Sequence, residues 1–82
     1  MKAILGFTYH VDVIEEPDGF HRGRIFICYR QDTDEQLLPA KIITTPATFQ
    51  SADGAIIGAE FYCREMILTG AMRRFLDIEE KR

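Results

Sequence analysis

The sequence predicts an α+β fold: a three-stranded antiparallel β-meander with one long C-terminal helix packed on one face, in the order β-β-β-α. Three observations predict it. Apolar residues near the N-terminus alternate with polar ones at period two, two polar turn segments divide the first half into strands, and from Ser51 onward the apolar period becomes helical. The chain has 82 residues, which makes it one domain.

The first strand is expected at about residues 2–15. Ala3, Leu5, Phe7, Tyr9, Val11 and Val13 fall on one face, and Gly6, Thr8, His10 and Asp12 on the other. Glu16-Pro17-Asp18-Gly19 supplies a turn, because Pro fixes φ, Asp bonds the backbone ahead and Gly accepts positive φ. The second strand, about 22–30, is rich in β-branched and aromatic residues (Ile25, Phe26, Ile27, Tyr29) and forms an antiparallel hairpin with the first. Gln31 to Gln36 is a polar turn. The third strand, about 37–48, contains Pro39 and Pro46, which lack a donor and place it at a sheet edge, where Lys41 discourages pairing with a foreign edge.

The helix is expected at about 52–79, with Ser51 as its N-cap and Asp53 at the positive end of its dipole. At 100° per residue, Ala55, Ile56, Ala59, Tyr62, Cys63, Met66, Ile67 and Gly70 gather on one side. Gly54 and Gly58 beside the alanines leave a low profile that lets this side lie close on the sheet. Thr69-Gly70 is the weak point; with no proline to enforce a stop, continuation is favoured over a break into a second short helix. A second apolar stripe, Ile57, Phe61, Leu68, Met72 and Phe75, lies on roughly the opposite side. Either it folds back on the monomer at Gly70, or another chain covers it.

Composition narrows the function classes. The chain is 46% hydrophobic and 28% charged, as for an ordinary soluble domain, and its net charge of −3 gives no general attraction to nucleic acid or anionic membranes. No run approaches the ~20 apolar residues of a membrane span, and no signal peptide is visible, so a cytoplasmic protein is expected. Cys28 and Cys63 are too few for a disulfide framework, form no CxxC pair, and read as reduced, buried thiols.

Several local patterns resemble known families. Phe49, Ser51, Ala55 and Ala59 (a phenylalanine closing the third strand, a Ser/Thr cap and an alanine-spaced helix) resemble a group of small uncharacterised bacterial β-β-β-α domains of unknown function. That resemblance implies the fold and no activity. Arg22-Gly23-Arg24-Ile25-Phe26-Ile27-Cys28-Tyr29 looks like the central-strand motif of RNA recognition motifs, whose aromatics stack on bases. That fold requires a helix between its first two strands, where this chain has room only for a turn, and Phe26 and Tyr29 point to opposite faces of a regular strand. The element order is also similar to the latter part of double-stranded RNA-binding domains. Those carry a lysine cluster at the start of the last helix, and this chain has Ser51-Ala52-Asp53-Gly54 there.

Chemical constellations are sparse. His10 and Asp12 share a strand face and could form a His–carboxylate pair. His10, His21, Cys28 and Cys63 match no zinc-finger or ribbon spacing, and Asp32-Thr33-Asp34-Glu35 lacks the glycine and distal glutamate of a calcium loop. No metal, cofactor or catalytic residue is expected. The expectation is a small non-enzymatic interaction module that homodimerises, or binds another protein, through Ile57, Phe61, Leu68, Met72 and Phe75. The alternative is a small-ligand or nucleic-acid binder using the exposed sheet face at His10, Arg24 and Phe26, with nucleic acid disfavoured by the charge.

Overall fold

A computed structural model describes residues 2–29 and 41–76. It is α+β, with a four-stranded antiparallel sheet followed by a long helix and a short one. The strands are β1 (Lys2–Ile4), β2 (Phe7–Glu15), β3 (His21–Tyr29) and β4 (Lys41–Phe49), and the helices are α1 (Ala52–Thr69) and α2 (Ala71–Phe75). Sheet order is β1-β2-β3-β4, so every connection joins neighbours.

The expected first strand is two strands. Leu5 and Gly6 both have positive φ, 50° and 88°, and turn β1 back on β2 with Ile4 opposite Phe7. Two positive-φ residues between paired strands are the backbone of a type I′ turn, whose twist matches the strands it joins. Gly6 adopts that conformation freely; Leu5 does so against its side chain. The turn reverses the phase of the alternation, so Ile4 packs against the core while Leu5 is exposed. An unbroken reading of the alternation missed it because a leucine occupies a position that Asn or Asp usually announces.

The Glu16–Gly19 turn forms as expected. The Gly19 N–H donates to the Glu16 carbonyl (2.9 Å) and the Phe20 N–H to Asp18 Oδ1 (3.0 Å). β4, which contains Pro46, is at the edge of the sheet; Leu37 to Ala40, with Pro39, lie outside the described residues, as does Asp32-Thr33-Asp34-Glu35. Around Pro46 the register shifts, pairing Arg22 with Thr48 but Arg24 with Thr44. Thr45 substitutes for the interrupted ladder: its hydroxyl accepts from the Gly23 N–H (3.2 Å) and donates to the Ala47 carbonyl (2.8 Å).

α1 covers one face of the sheet with its small side. Ser51 caps it, accepting from the Gly54 N–H (3.0 Å); Ala59, Cys63 and Ile67 are buried in one cluster with Phe7, Tyr9, Ile25, Ile27 and Ile43, and Ala55 is buried beside Gly23. A Cβ on Gly23 would lie 2.6 Å from the Ala59 Cβ and 2.7 Å from the Ala55 carbonyl oxygen. Gly58 likewise leaves the room that the Phe49 ring occupies.

The helix does not continue through Gly70, contrary to the sequence reading. Gly70 is left-handed (φ 85°), its N–H returns to the Ile67 carbonyl, and α2 starts in a new direction. The Thr69 hydroxyl donates back to the Glu65 carbonyl (2.7 Å) in this last turn. The redirection turns Met72 into the core at 0% exposure, with Leu76 beside it. Residues 77–79 of the expected helix lie outside the described residues.

Two substitutions test these close contacts. Gly23→Ala should lower stability by about 1–3 kcal/mol, since neither Ala59 nor the helix backbone can yield cheaply; an unchanged midpoint in a denaturant titration would mean that the helix is not seated there. Leu5→Asn should raise stability by about 1 kcal/mol by relieving the left-handed leucine, with the gain read as a higher thermal midpoint.

Candidate interaction surface

Seating Ala55, Ala59, Cys63 and Ile67 on the sheet fixes the rotation of α1 and hence what it shows to solvent. Ile57, Phe61 and Leu68 are 68%, 66% and 58% exposed, and Phe75 on α2 is exposed as well. Met72, expected in the same stripe, is part of the monomer core and leaves it. The left-handed turn at Gly70 is the physical reason: an uninterrupted helix would have carried Met72 outward with Leu68.

The stripe borders an open, shallow cleft of about 520 Å³ between α1 and β1. Lys2, Glu60, Arg64 and Glu65 line it beside Ile56, Ile57, Phe61 and Leu68. Glu60, in its lining, ties helix to sheet. Its carboxylate pairs with Lys2 on β1 and accepts from the Tyr9 hydroxyl on β2 (3.1 Å). Hydrogen bonding to Lys2, with a further bond from Tyr9, holds the Glu60 carboxyl below the usual carboxylate range. Burial, reinforced by the adjacent Glu60 charge, pushes the Tyr9 phenol up to about 12. The sequence reading missed Lys2 and Glu60, because the hairpin at Leu5-Gly6 brings Lys2 alongside Tyr9.

On the opposite, outer face of the sheet, the hairpin register brings together His10 with Phe26 and Asp12 with Arg24. The His10 and Phe26 rings are 6.2 Å apart, and the Arg24 guanidinium lies 5.0 Å from the Phe26 centroid. Arg24 Nε and Nη2 donate to the two Asp12 oxygens at 2.9 and 2.8 Å. The His10–Asp12 pair envisaged from the sequence is thus replaced by an Asp12–Arg24 fork, and the Arg24 hydrogen bond holds the Asp12 carboxyl below its ordinary range. The register was available from the Glu16–Gly19 turn, which sets Arg24 opposite Asp12.

The cysteines are on different faces. Cys28 is half-buried with its sulfur 2.9 Å from the Thr8 hydroxyl oxygen, and Cys63 is a buried free thiol that burial pushes up to about 12. Among the described residues no group of three His, Cys, Asp or Glu side chains is placed to hold a metal ion. None of the described helices is long and apolar enough to cross a membrane. No protein-family model, curated protein or solved structure matches the chain.

The raised phenol of Tyr9 sets an alkaline prediction. A proton held more tightly in the folded state contributes stability in full below the unfolded value near 10, and that contribution is lost as pH rises toward about 12. Phenolate absorbance should show one tyrosine titrating together with unfolding in that window, and Tyr9→Phe should remove it. A Tyr9 that ionises near pH 10 with the fold intact would contradict the buried bond to Glu60.

Proposed function

We propose that the chain is a non-enzymatic interaction module that homodimerises through the exposed face of α1. The observation that carries this reading is the alignment of Ile57, Phe61 and Leu68, all more than half exposed, along one side of a helix whose other side is fully used by its own sheet. Contiguous apolar surface of this kind marks sites that another surface covers. Fully burying each such side chain contributes about 1.5–3 kcal/mol, a large increment beside the 5–15 kcal/mol of net stability typical of a domain.

The order of residues along α1 favours a second copy as the occupant. Around a two-fold axis midway along the helix, between Tyr62 and Cys63, two antiparallel helices set Ile57 against the partner's Leu68 and Phe61 against the partner's Arg64. Both pairings recur on the other side of the axis, because Ile57 and Leu68 are equidistant from it, as are Phe61 and Arg64. One is an aliphatic contact, and the other places a guanidinium on an aromatic face. Phe75 is exposed on α2, beyond the Gly70 break, and Met72 belongs to the core.

The sheet-face alternative at His10, Arg24 and Phe26 has less to offer a ligand. Arg24, the cation that would meet a phosphate, is already engaged by both Asp12 oxygens. An aromatic ring beside a neutralised arginine is also an ordinary way to finish a solvent-facing sheet.

Sedimentation equilibrium at tens of micromolar should give twice the chain mass, and Phe61→Asp should give the monomer with an unchanged circular dichroism spectrum. The melting temperature of the wild type should rise with protein concentration, and that of the variant should not. A wild-type monomer throughout this range would overturn the reading.

A further inference from the structure

The hydrogen-bond parity of the sheet determines what its β4 edge presents. The two-residue turn at Leu5-Gly6 closes on a hydrogen-bonded pair, Ile4 with Phe7, and bonding alternates residue by residue from there across an antiparallel sheet. Thr8 with Cys28, and then Ile25 with Ile43, are therefore the bonded pairs of the next two ladders. Two contacts agree with this parity. The Glu16 N–H reaches the Phe20 carbonyl at the far end of the first hairpin (2.8 Å), and the Gly23 N–H points toward β4 to meet Thr45.

It follows that Lys41 and Ile43 bond inward to β3, while the N–H and C=O groups of Ile42 and Thr44 face away from the sheet. Four backbone groups in an extended row are a template for one more strand. Among the described residues nothing pairs with them, and the Ile42 side chain beside them is 61% exposed.

We propose that the β4 edge from Lys41 to Thr45 is a docking site for an extended peptide segment of a partner protein, which adds to the sheet as a fifth strand. The backbone groups select extended conformation, and the side chains select sequence. An antiparallel strand sets an aliphatic residue beside Ile42, a second beside Ile43, and a carboxylate beside Lys41. Lys41 is the one charged residue of this edge segment; it discourages a second copy of the same edge and other cationic strands, and favours an acidic one. Pro46 and the shifted register end the template after Thr45, which limits the site to a short segment. The site lies on the sheet, away from the outward side of α1, and does not depend on the dimer.

The test uses the full chain and a blocked peptide Thr-Thr-Val-Val-Asp-Thr, with a counterpart carrying Lys in place of Asp. Amide chemical shifts should move at Ile42 and Thr44 on adding the acidic peptide, with slowed amide exchange there, and the lysine peptide should bind several-fold more weakly. Thr44→Pro removes an outward N–H while leaving the inward ladder at Ile43 in place, and should weaken binding about tenfold. Lys41→Glu, which alters no backbone bond, should invert the preference between the two peptides, and Phe61→Asp should leave peptide binding unchanged. The proposal is overturned by silence at Ile42 and Thr44 at millimolar peptide, by a peptide preference that Lys41→Glu does not alter, or by binding that Phe61→Asp abolishes. It is equally overturned if the shifts at Ile42 and Thr44 follow the protein's own concentration without peptide, which is edge-to-edge pairing of two copies.

Discussion

The approach of α1 to the sheet at Gly23 is the constraint on which the rest of the molecule depends. Ala55 and Ala59 come so near to β3 that no side chain fits between, and Gly58 leaves the gap that Phe49 fills from the end of β4. Such a seat has one register and one rotation. It sets Cys63 and Ile67 into the core further along the same side of the helix, and turns Ile57, Phe61 and Leu68 away from it. The exposed stripe is therefore a consequence of how the helix is seated rather than of any feature around the stripe itself.

Polar contacts then lock the two ends of this arrangement. At the β1 side, Glu60 joins Lys2 and Tyr9, tying the short edge hairpin to the helix within the lining of the cleft. Beyond Gly70, Arg73 donates to the Tyr29 hydroxyl (3.2 Å) and its guanidinium lies 5.1 Å from the Tyr29 ring, itself packed at 4.7 Å on Phe7. The left-handed Gly70 is what allows both Met72 to enter the core and Arg73 to reach Tyr29. A chain this short gains appreciably from such redirection, because its core otherwise ends where α1 leaves the sheet.

Much of this was legible in the sequence where one physical signal acted alone. The turn at Glu16–Gly19, the edge position of a proline-bearing strand, the Ser51 cap and the small side of α1 each follow from residue type and period. Legibility failed where tertiary packing outweighed a local signal. Leu5 in a left-handed turn is locally unfavourable, so Gly6 was the only local mark of the first hairpin, and the strand alternation runs through it. Gly70 was visible as a weak point, but whether a helix crosses a glycine depends on what the far side gains, here the burial of Met72 and Leu76. Among the candidate surface residues, Ile57, Phe61 and Leu68 are where the period places them; Phe75 is exposed but lies on α2 beyond the break, and Met72 is buried, for that same reason. On the outer face, His10, Arg24 and Phe26 do cluster, but cross-strand register gave Asp12 to Arg24 instead of His10.

The molecule thus presents two different kinds of unsatisfied surface. One is the exposed apolar side of α1, which the proposed dimer would cover. The other is the β4 edge, which offers backbone rather than side chains. The central claim concerns the first, and mixing isotope-labelled with unlabelled copies tests it most directly. Filtered nuclear Overhauser spectra should show contacts from Ile57 methyls of one copy to Leu68 methyls of the other, and from the Phe61 ring to Arg64. Intermolecular contacts confined to the sheet, or none at the stripe in a millimolar sample, would contradict it.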